Sequence, residues 1–420
     1  MNGGGMPQAA RGALGVATLL LVAWLFSERR RLVPWRFVGL GLVVQVALAV
    51  VFLKLPFAAG LLAGINQAVV AVQGATEAGS AFVFGFLGGG PAPYEATGSG
   101  SDVVLAFRIL PLIIVISALA ALFTYWGILP AVVRVLARLV ERVMGIGGAV
   151  ALCAVANPFL GMIESTILVR PYIERLTRSE LCMIMCTGLA TIAGTVLALY
   201  AVMLASIIAD SGGHLLMASI ISLPAAMVVA RILIPEEAEP TPGKLALPGD
   251  VHGTFDAITQ GTRQGLELFL NIVAVLLVFV ALVHLLDDLL GLLPAFDGSP
   301  LTLERVMGWV FAPVAWLIGI PWQEAPVVGT LLGTKIVLNE LLAYRQLAGL
   351  GDGALSEHSR LVATYALCGF ANFGSVGILV TGLATMAPSR RAEVAGLGMR
   401  ALVGGTLANC ITATVVGVLL

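Results

Sequence analysis

Four polar side chains stand within strongly apolar stretches of this chain: Asn157 and Glu164 in ANPFLGMIES, Glu340 in GTKIVLNE, and Asn372 in CGFANFGS. A charged side chain at membrane depth costs on the order of 3 kcal/mol even on lenient insertion scales, so both carboxylates must face protein, water or a ligand. Carboxylates and amides exchange hydrogen bonds with polar groups. We therefore expect these residues to line a site for a polar solute inside the membrane.

The elements that position these residues must be membrane elements, because the composition identifies lipid as the solvent. Of 420 residues, 59% are hydrophobic and 11% are charged, whereas a soluble domain is about half apolar and about a quarter charged. The net charge of −1 gives no reason to expect a nucleic-acid partner. The five cysteines lie in apolar runs without metal-ligand spacing, and the four histidines are scattered, so neither set predicts a metal centre.

Apolar runs of about 20 residues predict eight transmembrane helices. The first run is followed by arginines and has no small-residue cleavage site, so we interpret it as a retained helix. An amphipathic run at 57–77 predicts an interfacial helix, and the basic face of 129–145 predicts a helix along the cytoplasmic surface. The predicted spans are 12–28, 35–54, 104–126, 180–208, 213–235, 266–290, 358–386 and 392–420.

The distribution of arginine predicts the orientation, because cytoplasmic loops are enriched in basic residues. Eight crossings with both termini periplasmic satisfy this rule, in a cell inner membrane surrounded by lipid. The residues assigned to the cytoplasmic side are Arg29–Arg31, Arg134, Arg138, Arg142, Arg170, Arg175, Arg178, Arg390 and Arg391, and those assigned to the outside are Asp210, Asp287, Asp288 and Asp297.

The chain divides into two similar halves. TGLATIAG in the first resembles CGFANFGS in the second, which aligns Gly188 with Gly369 and Thr191 with Asn372. Each segment follows an apolar stretch that is interrupted by Gly and Glu, and the charge count inserts these two stretches from opposite sides. Inverted repeats with discontinuous helices place a binding site at the membrane midplane. The predicted divisions are 1–101 (N-terminal helices), 102–235 (first repeat, with a re-entrant hairpin at 147–175), 236–253 (cytoplasmic linker) and 254–420 (second repeat, with a hairpin at 308–348).

Structural roles are the alternative for each polar residue. Glu164 and Glu340 could each pair with a cation such as Lys335, and Asn157 could cap a hairpin helix. Asn372 and Ser375 could form interhelical hydrogen bonds. An enzyme that uses the two carboxylates as acid and base is a different class, as is a sensor. Because no His, Ser–Lys or metal constellation lies near them in sequence, we expect no enzyme.

Several long motifs resemble those of one known family. GTKIVLNELLAY (333–344) resembles the G-x-K-x-x-x-N-E-F-V-A-Y signature of the concentrative nucleoside transporters, and YALCGFANFGSVGI (365–378) resembles their ALCGFANFSSIGI block. The resemblance extends from about residue 102 to 420. It implies an all-α polytopic fold with eight transmembrane helices, two re-entrant hairpins and an inverted repeat. It further implies a homotrimeric, elevator-type symporter that imports nucleosides with Na+.

The resemblance also implies the roles of individual residues. Ribose is held by the second hairpin and the broken helix after it, the nucleobase by the first hairpin, and sodium by amide, hydroxyl and carbonyl oxygens. The matching positions are Glu340, Phe370, Asn372 and Ser375 for ribose, Met162, Ile163, Glu164 and Val196 for the base, and Asn157, Thr191 and the carbonyls of Leu160 and Ile192 for sodium.

The first hairpin departs from the family pattern. The family has G-Q-T-E-A-P where this chain has Gly161 followed by Met162, Ile163 and Glu164. A base edge that faces Met and Ile loses hydrogen bonds, and each buried unpaired group costs about 1–3 kcal/mol. The alternative is therefore a sodium- or proton-coupled transporter of a different hydroxylated solute. The oxygen-rich cation positions are retained, which favours sodium over protons.

Overall fold

The structure is a computed structural model that describes residues 7–94, 104–243, 251–296, 298–351 and 353–420. Helices form the regular structure of these ranges, apart from one isolated bridge between Phe296 and Ser299. The α-helices are α1 Gln8–Leu25, α2 Trp35–Lys54, α3 Pro56–Phe84, α4 Leu105–Arg108, α5 Pro111–Tyr125, α6 Ile128–Met144, α7 Gly148–Leu160, α8 Met162–Ile167, α9 Arg178–Ala190, α10 Gly194–Leu204, α11 Ser211–Leu233, α12 Thr254–Leu290, α13 Leu303–Leu317, α14 Ala325–Val337, α15 Glu340–Ala348, α16 Glu357–Leu367, α17 Phe373–Met386 and α18 Arg391–Leu419.

Within the described ranges, eight helical segments are long and apolar enough to cross a membrane, which is the predicted number. The set differs from the prediction at two places. The expected span 358–386 is two helices, α16 and α17, because the chain leaves helical geometry between Leu367 and Phe373. Its place among the eight is taken by Ala63–Gly88, most of which belongs to α3. The run interpreted as interfacial, 57–77, is thus part of a helix long enough to span.

The order of elements agrees with a division into two repeats of seven helices. The first repeat runs from α5 to α11 and the second from α12 to α18. Each repeat begins with a first helix and an amphipathic helix, continues with two pairs of helices that are each separated by a short break, and ends with a single long helix. The packing is reciprocal, since α5 lies on α12, α10 lies on α15, and α17 lies on α8. The predicted alignment of Gly188 with Gly369 is wrong in register. Gly188 lies inside α9, whereas Gly369 lies in the break after α16.

The breaks have local causes in the sequence. Gly161 joins α7 to α8 at φ +111°, a conformation that L side chains rarely adopt. Asn339 caps α15 and Asn372 caps α17, each accepting a backbone N–H with its side-chain oxygen. Thr177 and Glu180 form a capping box that starts α9. Residues that favour caps and turns therefore end the helices at these positions, although the hydropathy of the surrounding sequence would also allow a continuous span.

Several arginine-containing segments that were predicted to be cytoplasmic contact one another at one end of the protein. Arg178 donates to both carboxylate oxygens of Glu28, at 2.8 and 3.2 Å, and this hydrogen bonding lowers the pKa of the Glu28 carboxyl. Arg29 pairs with Glu237, and Arg390 donates to the carbonyl of Ile173. The first and last helices meet at the opposite end, where Gln8 donates to the carbonyl of Gly417. The two terminal helices thus end on the same side of the protein, which agrees with the predicted topology. That this side faces the periplasm stays a prediction.

The amphipathic segment 129–145 is a helix, α6, whose arginines 134, 138 and 142 are exposed. The linker contacts the first turn of α9 through Thr241, whose backbone N–H and hydroxyl both donate to the buried carboxylate of Glu180. Three predicted features fall outside the described residues: the boundary at 101/102, the linker stretch 244–250, and Asp297. The division of the chain into repeats and a linker remains our interpretation of the sequence.

Candidate functional site

Glu340 is the centre of a buried polar cluster. It is the first residue of α15 and is 5% exposed. The hydroxyl of Tyr200 donates to its Oε1 at 2.7 Å, and Nδ2 of Asn372 donates to its Oε2 at 2.9 Å. Tyr200 lies on α10 and Asn372 is the N-cap of α17, and both of these helices follow a break. The carboxylate therefore joins the second hairpin to both broken helices.

Asn372 performs two tasks with one amide group. Its Oδ1 accepts a hydrogen bond from the backbone N–H of Ser375 at 2.7 Å and so caps α17, while its Nδ2 donates a hydrogen bond to the carboxylate of Glu340. Ser375 is buried one turn into α17, and Phe370 is half-buried in the break itself. The structure thus brings together three of the four predicted ribose residues and places Phe370 beside them in sequence. The interhelical role considered for Asn372 is also present.

Asn157 does not cap a hairpin helix. It lies inside α7 and is 1% exposed, and its Nδ2 donates to the carbonyls of Thr187 and Gly188 and to the hydroxyl of Thr191. Its Oδ1 is buried without a hydrogen-bond partner. An unsatisfied buried oxygen costs about 1–3 kcal/mol. This oxygen, together with the neighbouring carbonyls and hydroxyl, has the donor set that a hard cation prefers.

The remaining predicted ion residues lie at the ends of the same helices. Leu160 is the last residue of α7, and Ile192 lies in the break of α9–α10, where its N–H donates to the hydroxyl of Ser219. The two breaks touch, since the N–H of Phe370 donates to the carbonyl of Thr191 at 3.4 Å. The ion cluster and the Glu340 cluster are therefore adjacent through backbone.

The tip of the first hairpin holds the predicted base-contacting residues. Met162 is buried against Gly188 of α9, and Ile163 fills the space above Gly382 of α17. Val196 is buried in the first turn of α10. The Glu164 side chain is exposed, with its carboxylate folded back toward Gly161. Glu164 and Glu340 are not linked by a hydrogen bond in the described part of the chain.

Sequence reasoning missed two residues of this region, Tyr200 and Asn409, and named the wrong partner for a third, Lys335. Lys335 was considered as a partner of Glu340, but it donates instead to the carbonyl of Ala366 at 2.9 Å and to Oδ1 of Asn409 at 2.7 Å. Nδ2 of Asn409 donates to the carbonyls of Ala190 and Cys368, one at each break. Asn409 is a polar residue in the Gly-rich stretch GLGMRALVGGTLAN (396–409), whose glycines are also typical of close helix packing, so the signal for it in the sequence is weak.

We expect Gly369→Ala to lower the thermal stability of the purified protein. A Cβ there would lie 2.9 Å from the Ala190 carbonyl carbon and would press on Asn409, in a break where neither backbone can move freely. Overpacking of this kind costs about 1–3 kcal/mol. Gly377→Ala on α17 is the matched control because nothing lies within 4 Å of its added Cβ. Equal melting temperatures for the two variants would contradict the tight contact between the breaks.

Comparison with known proteins agrees with this architecture. Sequence profiles described as Na+ dependent nucleoside transporter N-terminus and C-terminus match residues 14–87 and 214–417, and one described as Nucleoside recognition matches residues 106–207. The chain is 36% identical over 411 residues to the uncharacterized transporter YutK of Bacillus subtilis, covering 97% of this chain and 98% of that protein. It is 33% identical over 411 residues to the nucleoside permease NupC of Helicobacter pylori, covering 96% of each.

A solved structure of CNTnw in an inward-facing substrate-bound state superimposes with a TM-score of 0.89 at 35% identity, over 98% of each chain. The family profiles, the relatives and the solved structure all concern membrane transporters and not enzymes. This agrees with the prediction from the sequence. The chain belongs to the Na+ dependent nucleoside transporter family, the concentrative nucleoside transporters that its motifs resemble.

Proposed function

We propose that this protein is a sodium-coupled symporter that imports nucleosides or a nucleoside-like solute across the inner membrane as a homotrimer. The observation that carries the proposal is the buried carboxylate of Glu340, which is held between Tyr200 and Asn372 where two broken helices meet. A buried carboxylate with only neutral hydrogen-bond partners is costly, so such groups in membrane proteins mark solute pathways.

The sugar is the part of a nucleoside that this cluster suits. An ionised carboxylate offers about four lone-pair sites, and Tyr200 and Asn372 use one on each oxygen. The remaining sites can accept hydrogen bonds from two neighbouring ribose hydroxyls. Hydrogen bonds to a charged acceptor are roughly twice as strong as neutral ones. Glu340 therefore supplies the affinity for the sugar, and Asn372 fixes the orientation of the carboxylate.

The cluster around Asn157 suits the cation. Its unpartnered Oδ1, the Thr191 hydroxyl and the carbonyls at the ends of α7 and α9 supply oxygen ligands and partial negative charge. All of these oxygens are neutral, because they belong to an amide, a hydroxyl and backbone carbonyls.

Coupling follows from the contact between the breaks. A cation that orders Thr191 also fixes the backbone that receives Phe370, and through it the cap residue Asn372. The solute then completes a site whose geometry the cation has set. Inward movement of one sodium charge gains about 2.3 kcal/mol per 100 mV of membrane potential.

The apolar tip of the first hairpin favours a second candidate, a transporter of another hydroxylated solute. Met162 and Ile163 offer no hydrogen bonds to a base. Uptake into proteoliposomes at fixed pH, with uridine, adenosine, free ribose and free bases as competitors, separates the two. Competition by nucleosides, in sodium only, supports the proposal. Competition by ribose alone supports the second candidate, and uptake that follows a pH gradient without sodium supports proton coupling.

We expect the double variant Met162→Gln, Ile163→Thr to gain uptake of uridine relative to the unaltered protein. Each restored hydrogen bond to the base is worth about 1 kcal/mol, so the gain is about tenfold or more. Ile167→Thr, on the exposed face of the same helix, is the control and should not change selectivity. An unchanged ratio of uridine to adenosine uptake in the double variant would place the base elsewhere.

A further inference from the structure

The two hairpins place different groups at equivalent positions. Asn157 lies four residues before Gly161, the N-cap of α8, and Lys335 lies four residues before Asn339, the N-cap of α15. The preceding helices, α7 and α14, each have 13 residues, of which Asn157 is the tenth and Lys335 the eleventh. Each side chain then reaches the broken helix of its own repeat. Asn157 donates to carbonyls of Thr187 and Gly188, and Lys335 to the carbonyl of Ala366.

Helix C-termini converge on both positions. In the first repeat α7 and α9 end there, and in the second α14 and α16 end there. The C-terminus of a helix carries partial negative charge from its unpaired carbonyls, so a cation is favourable at such a convergence. The first repeat presents only a neutral amide with an unpartnered oxygen, Oδ1 of Asn157. The second repeat presents the ammonium group of Lys335.

Lys335 is an unusual residue for this place. It is 1% exposed, and both of its hydrogen-bond acceptors in the described part of the chain are neutral: the carbonyl of Ala366 and Oδ1 of Asn409. A buried charge without a hydrogen-bonded charged partner is expensive unless its surroundings supply a complementary field. The converging carbonyls and the nearby carboxylate of Glu340 supply that field, and Asn409 extends the contact to both breaks.

We propose that Lys335 is a tethered cation: its ammonium group takes, in the second repeat, the position that the transported sodium ion takes in the first. The protein then needs one sodium ion per solute, because the equivalent second position is filled by its own side chain. This inference rests on the proposed sodium coupling and adds the stoichiometry to it. It makes Lys335 a positioning residue, one that holds the second break without touching the solute.

Three variants of Lys335 separate charge from packing. Lys335→Gln rebuilds the composition of the first repeat, an amide facing helix-end carbonyls, so it should take up a second sodium ion. We expect the Hill coefficient for sodium in nucleoside uptake to rise from about 1 to about 2. The sodium concentration for half-maximal uptake should rise about tenfold or more, which corresponds to ~1.4 kcal/mol. Lys335→Arg should keep a coefficient of about 1, and Lys335→Met should lose uptake at every sodium concentration.

A measurement on the unaltered protein keeps the inference testable if Lys335→Gln does not fold. The reversal potential of nucleoside flux in proteoliposomes gives the charge moved per solute, and we expect about one. Two charges per nucleoside in the unaltered protein would overturn the inference, as would a Lys335→Gln variant with unchanged sodium dependence. Both outcomes leave sodium coupling intact. Uptake without any sodium dependence in the unaltered protein would instead overturn the proposed function.

Discussion

Replacing Glu340 by Gln should abolish nucleoside uptake while the protein remains folded and assembled. The substitution keeps the shape of the side chain but removes its charge and leaves one acceptor oxygen for the two donors, Tyr200 and Asn372. Two ribose hydroxyls lose a charge-assisted acceptor, each worth about 1.5–3 kcal/mol. We therefore expect uptake to fall by about 100-fold or more.

The control for this experiment is Glu267→Gln, whose carboxylate is exposed on α12 and forms only a surface pair with Arg263 at 4.0 Å. It should behave as the unaltered protein, since exposed pairs contribute about 0–1 kcal/mol. Size-exclusion chromatography of both variants tests assembly independently of transport. Full uptake by Glu340→Gln would remove Glu340 from the site and, with it, the assignment of the sugar to this cluster.

Replacing Asn157 by Leu should remove the sodium dependence of transport. Leucine has the same branching and number of side-chain heavy atoms as asparagine, although it is bulkier, and it supplies no oxygen to a cation and no donor to the carbonyls of Thr187 and Gly188. Sodium stabilises a protein that binds it by RT ln(1 + [Na+]/Kd), so at 100 times Kd the unaltered protein gains about 2.7 kcal/mol. The variant should lose this gain, visible as a melting temperature that no longer rises when choline is exchanged for sodium.

Asn271→Leu is the matched control for that substitution, because Asn271 is exposed on α12. It should retain both the sodium-dependent melting temperature and uptake. If Asn157→Leu kept the full sodium response, the cation would bind elsewhere, and the unpartnered oxygen of Asn157 would need another explanation.

The resemblance to the family was sufficient to bring Glu340 and Asn372 together, because it assigns the sugar to the second hairpin and to the broken helix after it. The resemblance also implied that this helix is broken, but it did not give the position of the break, and the hydropathy pattern predicted one continuous span at 358–386. Local spacing could not predict the partner Tyr200, which lies 140 residues before Glu340 in the predicted span 180–208. Contacts of that separation depend on how α10 packs on α15, which no local pattern encodes.

The errors have the same origin. A hydropathy window over 358–386 averages across the residues that end α16 and start α17, so it predicts one span where capping produces two helices. The short alignment of Gly188 with Gly369 matched residue types, whereas the structure places one in a helix and the other in a break. Lys335 was matched to the nearest carboxylate by charge, but the carbonyls at a helix end attract it equally well.

The most direct test of the account is binding of a nucleoside to the purified protein in sodium chloride and in choline chloride at the same pH and ionic strength. We predict that binding is tighter in sodium by about tenfold or more and that Glu340→Gln binds in neither salt. Equal affinity in the two salts, or binding by Glu340→Gln as tight as that of the unaltered protein, would contradict a sodium-organised site built around Glu340.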